Sequence, residues 1–393
     1  MSCPAPAGEF ARPSTLWAAI LVATCASMSI GILPLVLGMF ADRFSLSLEK
    51  IGVLATVGQV GFGIGSSFVV RLRRVDDWRI LLCGAAILAA IFNGLTMFTD
   101  AWLLVLSLQL LSGTAGGAVY GLAVYVVGRT PRPEKAFGLM YVLELAAFSA
   151  IAAAFPFLRE RGGFPWALNS LGAFFLAAGL IGWALPDRDR AEGIAPNRVM
   201  HADSTSRLGG MGLLALTIFQ LGIIAVWAYT ERIGTLSGIS PKDIGNAIAI
   251  AGVAGIAGAG TAAAIDMRAG HLLPTLIATA AILAGNVLLW SPPSFASFLA
   301  GACLFSYGWL LAIPYYMGAV VASDATGSLT GLLVPAQTVG SVGGPFIAAL
   351  VVGDASANPA IVVSTVACLA ATVPLAMVVR RLPRSTLIPC NRE

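Results

Sequence analysis

Apolar blocks of about 20 residues, each closed by a short polar joint, recur along almost the whole chain, and they fix its solvent. At 1.5 Å per residue a helix needs roughly 20 apolar residues to cross about 30 Å of hydrocarbon. Blocks of this kind occupy 16–38, 51–70, 80–98, 101–127, 136–157 and 164–185, then 209–230, 243–264, 272–291, 294–317, 328–352 and 358–379. In lipid every backbone donor and acceptor needs a partner within the protein, and a helix supplies it within its own segment. The pattern predicts an all-α membrane protein with twelve transmembrane helices. Composition agrees: 58% of residues are hydrophobic and 11% charged, with a mean hydropathy of +0.87, against roughly 25% charge in a soluble domain.

The longest polar interval runs from Pro186 to Gly209 and carries Asp187, Arg188, Asp189, Arg190, Glu192, Arg198, His201, Asp203 and Arg207. It falls near the midpoint, so residues 1–185 are predicted as one six-helix bundle and 186–208 as a central cytoplasmic loop. Residues 209–393 then form a second six-helix bundle with a short cytoplasmic tail. Basic residues orient the arrangement. With both termini cytoplasmic, that side holds 17 of the 23 lysines and arginines, and the other keeps only Arg43, Lys50, Arg159, Arg161, Arg232 and Lys242. The bias follows the positive-inside rule. The first block exceeds 20 residues and ends at Gly38-Met39-Phe40 without a small-x-small cleavage pattern, so it reads as a retained span.

Glycines and prolines say how such helices pack. Gly113, Gly117 and Gly121 recur at every fourth position, Gly58, Gly61, Gly63 and Gly65 crowd the second block, and Gly245, Gly252, Gly255, Gly258 and Gly260 the eighth. Small residues at this spacing let helix backbones approach closely in lipid. Whether these faces only pack or also slide is left open by the sequence. Pro34, Pro314, Pro335, Pro345 and Pro374 each delete a backbone donor within or near a span, which is tolerated where the helix faces protein or a wet cavity.

Polar residues inside the blocks are the functional candidates. Glu144 lies about 12 Å into the fifth block, near midplane. A carboxyl there must be neutral, paired or open to a cavity, and no lysine or arginine stands mid-span to pair it. It reads either as a proton or substrate-cation site or as a packing carboxyl bonded to a neighbouring helix. Gln59, Gln109, Gln220, Asn286, Tyr307, Tyr315, Tyr316, Gln337 and Thr338 add hydrogen-bonding capacity in both halves, as a shared binding cavity or as separate interhelical bonds. Glu231 and Arg232, in Trp227-Ala-Tyr-Thr-Glu-Arg-Ile-Gly234, fall at the outer edge of the seventh block, as an outer gate or an interfacial cap. Adjacent helical residues do not face each other, so each is expected to pair with another element.

Soluble chemistry has no foothold. The six cysteines lack CxxC spacing, His201 and His271 stand in separate joints, and no Walker A, G-x-G-x-x-G or H-E-x-x-H pattern occurs. No enzyme activity, metal, cofactor or nucleic-acid partner is expected, and transport would draw on a gradient or on substrate concentration.

Six plus six spans around a long middle loop resemble the major facilitator superfamily over nearly the whole chain. The joint Gly65-Ser-Ser-Phe-Val69-Val70-Arg71-Leu72-Arg73-Arg74 is similar to that family's G-x-x-x-D-R-x-G-R-R, keeping the first glycine and the last two arginines, with Val69 at the acidic position and Leu72 at the second glycine. Asp76 and Asp77 follow as possible substitutes for the acid. Asp266, Arg268 and Gly270 look like the related joint in the second half, and Asp324-Ala-Thr-Gly327 and the glycine-proline run Pro335 to Pro345 look like its helix 10–11 joint and eleventh helix. Gln109 stands where members often carry an arginine four residues before glycine, and the glycine-proline pattern of many exporters is absent from the fifth block.

The resemblance implies a secondary transporter of a small organic solute working by alternating access in a bacterial inner membrane, with protons as the expected coupling ion, lipid as its solvent and one chain sufficient for a pathway. Glu144, Gln109, Gln220, Tyr307, Gln337, Gln59 and Asn286 are the candidates for the solute or proton path. Gly65, Arg73, Arg74, Asp266, Arg268 and Asp324 are the joint candidates, and Glu231 and Arg232 the outer gate. Efflux, a sensor or scaffold that keeps transporter architecture, and a lipid-acting enzyme are the alternatives.

Overall fold

The computed structural model describes residues 10, 12–72, 77–130, 133–185, 207–265, 269–290, 292, 294–323, 329, 332–353 and 356–381, the side chains of 69–72 and 133–135 excepted. His201, Arg73, Arg74, Asp76, Asp266, Arg268 and Asp324 lie outside the described residues. The rest is almost entirely α-helical: α1 (Pro13–Gly31), α2 (Leu33–Phe44), α3 (Leu48–Leu72), α4 (Trp78–Leu95), α5 (Trp102–Val127), α6 (Pro133–Gly182), α7 (Arg207–Trp227), α8 (Thr230–Leu236), α9 (Pro241–Ile265), α10 (Leu272–Leu289), α11 (Phe295–Ser323), α12 (Leu333–Val351) and α13 (Asn358–Arg381). Among the described residues, eleven stretches are long and apolar enough to cross a membrane. One of them, Ala136–Gly182, runs 47 residues and is broken at Gly163, which makes it two crossings. Twelve crossings result, six on either side of 186–206.

Two of the breaks have a local cause. Gly163 takes φ 63° and ψ −159°, a conformation open essentially to glycine alone, and Pro165 follows it. The α1–α2 break falls at Ile32, two residues before Pro34, whose ring would meet the carbonyl four residues earlier and which has no N–H to bond it. Pro335 is the third residue of α12, within the first turn, where a missing donor costs little, so it breaks nothing. The break between α7 and α8 was not expected from the sequence, which reads 209–230 as one span. No proline marks it; Tyr229 leaves helical geometry with φ −104° and ψ 0°.

The chain divides into two compact units. The first comprises Met1–Ile32, Val57–Phe148 and Phe155–Arg198. Within it α5 packs on α1 and α4, around a core that includes Ile20, Leu82, Val119, Leu122 and Met140. The α3–α5 crossing is built on the glycines singled out above: a Cβ on Gly113 would stand 2.6 Å from the Gly58 carbonyl oxygen, and one on Gly117 would collide with the Phe62 carbonyl. Asp77 caps α4, accepting from the Arg79 and Ile80 amides at 2.9 and 3.3 Å, so among the described residues its carboxylate is engaged as a helix cap.

The second unit comprises Leu33–Thr56, Ser149–Ala154 and Val199–Glu393. Its α11 packs on α9 and α10, and α7 on α12 and α13. The α2 helix and the first turns of α3 belong here, with α2 lying against α8.

Candidate functional site

In the first unit, α6 carries Glu144 between α1 and α5. Its Oε1 is buried and has no hydrogen-bond partner among the described residues. The hydroxyls of Ser27, from α1, and Tyr120, from α5, lie against the carboxyl, and Tyr141 stands nearly one turn earlier on α6. Each of these side chains has a fixed setting. The Ser27 hydroxyl also reaches the Thr24 carbonyl at 3.1 Å, and the Tyr120 ring packs against Phe62 of α3 with centroids 5.3 Å apart. Among the described residues no lysine or arginine makes an ion pair with Glu144. With hydroxyls against it and no cation paired to it among the described residues, an ionised carboxylate at this depth is costly.

The other candidates of this unit stand apart from Glu144. Gln109 donates to Thr96 Oγ1 at 3.2 Å, and it lies about 16 Å along α5 from Tyr120. Gln59 is buried in α3. Gly65 meets α5, where a Cβ would collide with the Thr114 carbonyl.

The second unit holds the charged cluster. Arg232 donates from Nε to Glu231 Oε2 at 2.6 Å and from Nη2 to Glu231 Oε1 at 3.0 Å, to Asp42 Oδ1 at 2.8 Å and to the Gly38 carbonyl at 3.0 Å. Thr235 adds a hydroxyl to Glu231 Oε1 at 3.0 Å. The expectation that Glu231 and Arg232 pair only with other elements is therefore corrected: they pair with each other as well. Both lie in the first turn of the short α8, where the long guanidinium arm folds back over its neighbour. Gly38 opens the space for this, since a Cβ there would occupy the position of the Glu231 carboxyl. Glu231 is buried, its side chain 5% exposed, and Arg232 13%, while Asp42 at 38% is at the rim. A second tie lies beside it: Tyr229 donates to the Leu48 carbonyl at 3.0 Å, its hydroxyl filling the place of a Cβ on Gly52.

The amide and phenol candidates of this unit join helices in pairs. Gln220 donates to Ser341 Oγ at 3.2 Å, joining α7 to α12. Asn286 donates to Ser364 Oγ and Thr365 Oγ1 at 3.2 and 3.1 Å, joining α10 to α13. Tyr307 donates to Thr261 Oγ1 at 3.2 Å between α11 and α9, and Gln337 faces Met317 Sδ at 3.9 Å. Gln220 Oε1, Asn286 Oδ1 and the Tyr316 hydroxyl are buried without partners among the described residues. Ser27, Tyr120, Asp42 and Tyr229 were not singled out as site residues from sequence. Asp42 alone carried a signal, as an acid at the end of the first block.

A family model for the Major Facilitator Superfamily matches residues 19–345. The chain belongs to the major facilitator superfamily. Among solved structures it is similar to a bacterial homologue of the human lysosomal transporter Spinster in an inward-facing, unoccupied conformation, at 13% identity over 94% of this chain and 96% of that one, with a TM-score of 0.67. It is also similar to the nucleoside transporter NupG (12% identity, 93% and 98% covered, TM-score 0.69) and to the xylose transporter XylE from E. coli in a partially occluded inward-open conformation (14% identity, 94% and 99% covered, TM-score 0.73). No curated protein matches the sequence significantly. At these identities the solved structures establish the fold, and with the family match they make this chain a multi-pass membrane transporter of a small solute working by alternating access, and not an enzyme.

Proposed function

We propose that this facilitator-superfamily protein couples movement of a small organic solute to protons across a bacterial inner membrane, with both termini cytoplasmic. The observation that carries the reading is Glu144: a carboxyl in a membrane helix, one oxygen buried without a partner, faced by hydroxyls and by no cation among the described residues. Such a group is compensated best by what it binds, and a proton is the smallest such ligand. Phenols and amides spread over both halves favour a small amphipathic solute or an organic acid that uses hydrogen bonds for orientation and aromatic faces for apolar contact. Glu231 and Arg232, joined by Asp42, act as a gate that ties α8 to α2.

A thermal-shift panel of small metabolites finds the solute, and flux in proteoliposomes then tests the coupling. Glu144→Gln should abolish accumulation driven by a pH gradient and keep solute exchange at equilibrium. Unchanged pH dependence and unchanged dependence on driving force would remove Glu144 from its role.

A further inference from the structure

Glu144 has no basic partner among the described residues, yet it must pass between two protonation states within hydrocarbon if the proposed coupling is right. Three helices converge to solve this. From α5 comes Tyr120, whose ring Phe62 of α3 holds and whose hydroxyl meets the carboxyl. From α1 comes Ser27, whose single hydroxyl hydrogen has two acceptors in reach, the Glu144 carboxyl and the Thr24 carbonyl at 3.1 Å. Among the described residues, the titratable groups facing Glu144 are Tyr120 and, from its own helix, Tyr141.

We propose that Tyr120 and Ser27 are positioning residues for proton coupling: Tyr120 stabilises the charged carboxylate as a donor, and Ser27 is a hydroxyl rotor that serves both states. This rests on the reading of Glu144 as the proton site. With Glu144 ionised, the Tyr120 and Ser27 hydrogens both point to the carboxylate. When a proton arrives from the water phase it bonds to a carboxylate oxygen, and the Ser27 hydrogen turns to the Thr24 carbonyl. Its oxygen then accepts the new Glu144 O–H. No other bond is made or broken, and the phenol keeps its proton throughout. A carboxylate that loses one of its two hydroxyl donors is disfavoured, so the phenol hydroxyl helps set how tightly the proton is held.

Infrared difference spectroscopy on the full chain in lipid nanodiscs, titrated with pH and with no solute present, reads this directly. A protonated-carboxyl C=O band that Glu144→Gln removes identifies the group. Tyr120→Phe keeps the ring against Phe62 and should tighten proton binding about tenfold, moving the midpoint of that band by about one pH unit, the effect of one ordinary hydrogen bond. Ser27→Ala, an independent variant, should move the band to higher frequency, because the protonated carboxyl loses its acceptor. A Glu144 band that titrates identically in wild type, Tyr120→Phe and Ser27→Ala would overturn the positioning roles and leave the proton site standing. Absence of any band sensitive to Glu144→Gln would overturn the proton site itself. A midpoint that moves when sodium replaces choline in the buffer would show that the hydroxyls and carboxyl ligate a metal cation instead, and would overturn the rotor.

Discussion

Arg232 neutralises a carboxylate that water scarcely reaches, so the cost of losing it is set by what it leaves behind. Arg232→Met strands Glu231, with its side chain 5% exposed, and should cost about 3–5 kcal/mol, read as a lower unfolding temperature in detergent. Asp42→Asn removes a partner already 38% exposed and should cost about 1 kcal/mol or less. In Glu231→Gln/Arg232→Met the stranded charge is gone, and much of the single-variant loss should return; strictly additive losses would mean that the two side chains act independently. His271 gives a pH dependence. It stands just before α10, outside the spans and almost fully buried, and burial pushes its imidazole below the ordinary histidine range, with the Tyr315 backbone pulling the other way. The unfolded chain takes up a proton there below about pH 6.5, which the folded chain resists. The stability is therefore complete above that pH and is lost as pH falls through the folded value. His271→Gln should flatten the fall in unfolding temperature between pH 8 and pH 5; an unchanged slope would assign the effect to other groups. At this scale the sequence disclosed Glu144, because a lone acid inside an apolar block is conspicuous. It did not disclose Tyr120 or Ser27: hydroxyls are ordinary in such blocks, and their convergence depends on three helices whose contacts no local pattern encodes. Asp42 was visible only as an acid past the first block, and its pairing with Arg232 was not, because that partner lies on α8.

Among the elements, breaks do more than lengths. Gly163 turns one 50-residue helix into two crossings, and Gly163→Ala should cost about 1–3 kcal/mol because alanine rarely adopts φ 63° with ψ −159°. A fluorescence-detected stability assay should show that loss; an unchanged profile would mean that the turn has room to relax. The crossing of α3 and α5 is as demanding: a Cβ at position 113 would lie 2.6 Å from a backbone oxygen, and neither backbone can yield without moving its whole helix. Glycine spacing marked both helices as close-packing without saying which partner each meets, and Gly65 of α3, the first glycine of the Gly65–Arg74 joint, belongs to the crossing as well. Prolines were a poorer guide. Pro34 does interrupt the first span, whereas Pro314, Pro345 and Pro374 lie inside α11, α12 and α13, which continue through them. The α7–α8 break was illegible because its cause is tertiary: Tyr229 reaches the Leu48 carbonyl, and Glu231 and Arg232 turn onto α2, contacts between segments nearly half the chain apart.

For the molecule as a whole, twelve crossings followed from block length and hydropathy, since lipid leaves a chain few ways to satisfy its backbone. The family's joint residues were legible as motif fragments, but chemistry was not, because the resemblance carries architecture and alternating access without a substrate. What the chain adds to that architecture is a membrane carboxyl compensated by hydroxyls. The decisive measurement is the interior pH of proteoliposomes loaded with a pH-sensitive dye while the solute found by thermal shift is driven across the membrane. Solute flux should move protons in wild type, and in Glu144→Gln exchange should continue with the interior pH unchanged. Solute flux by the wild-type protein with no change in interior pH would contradict the account.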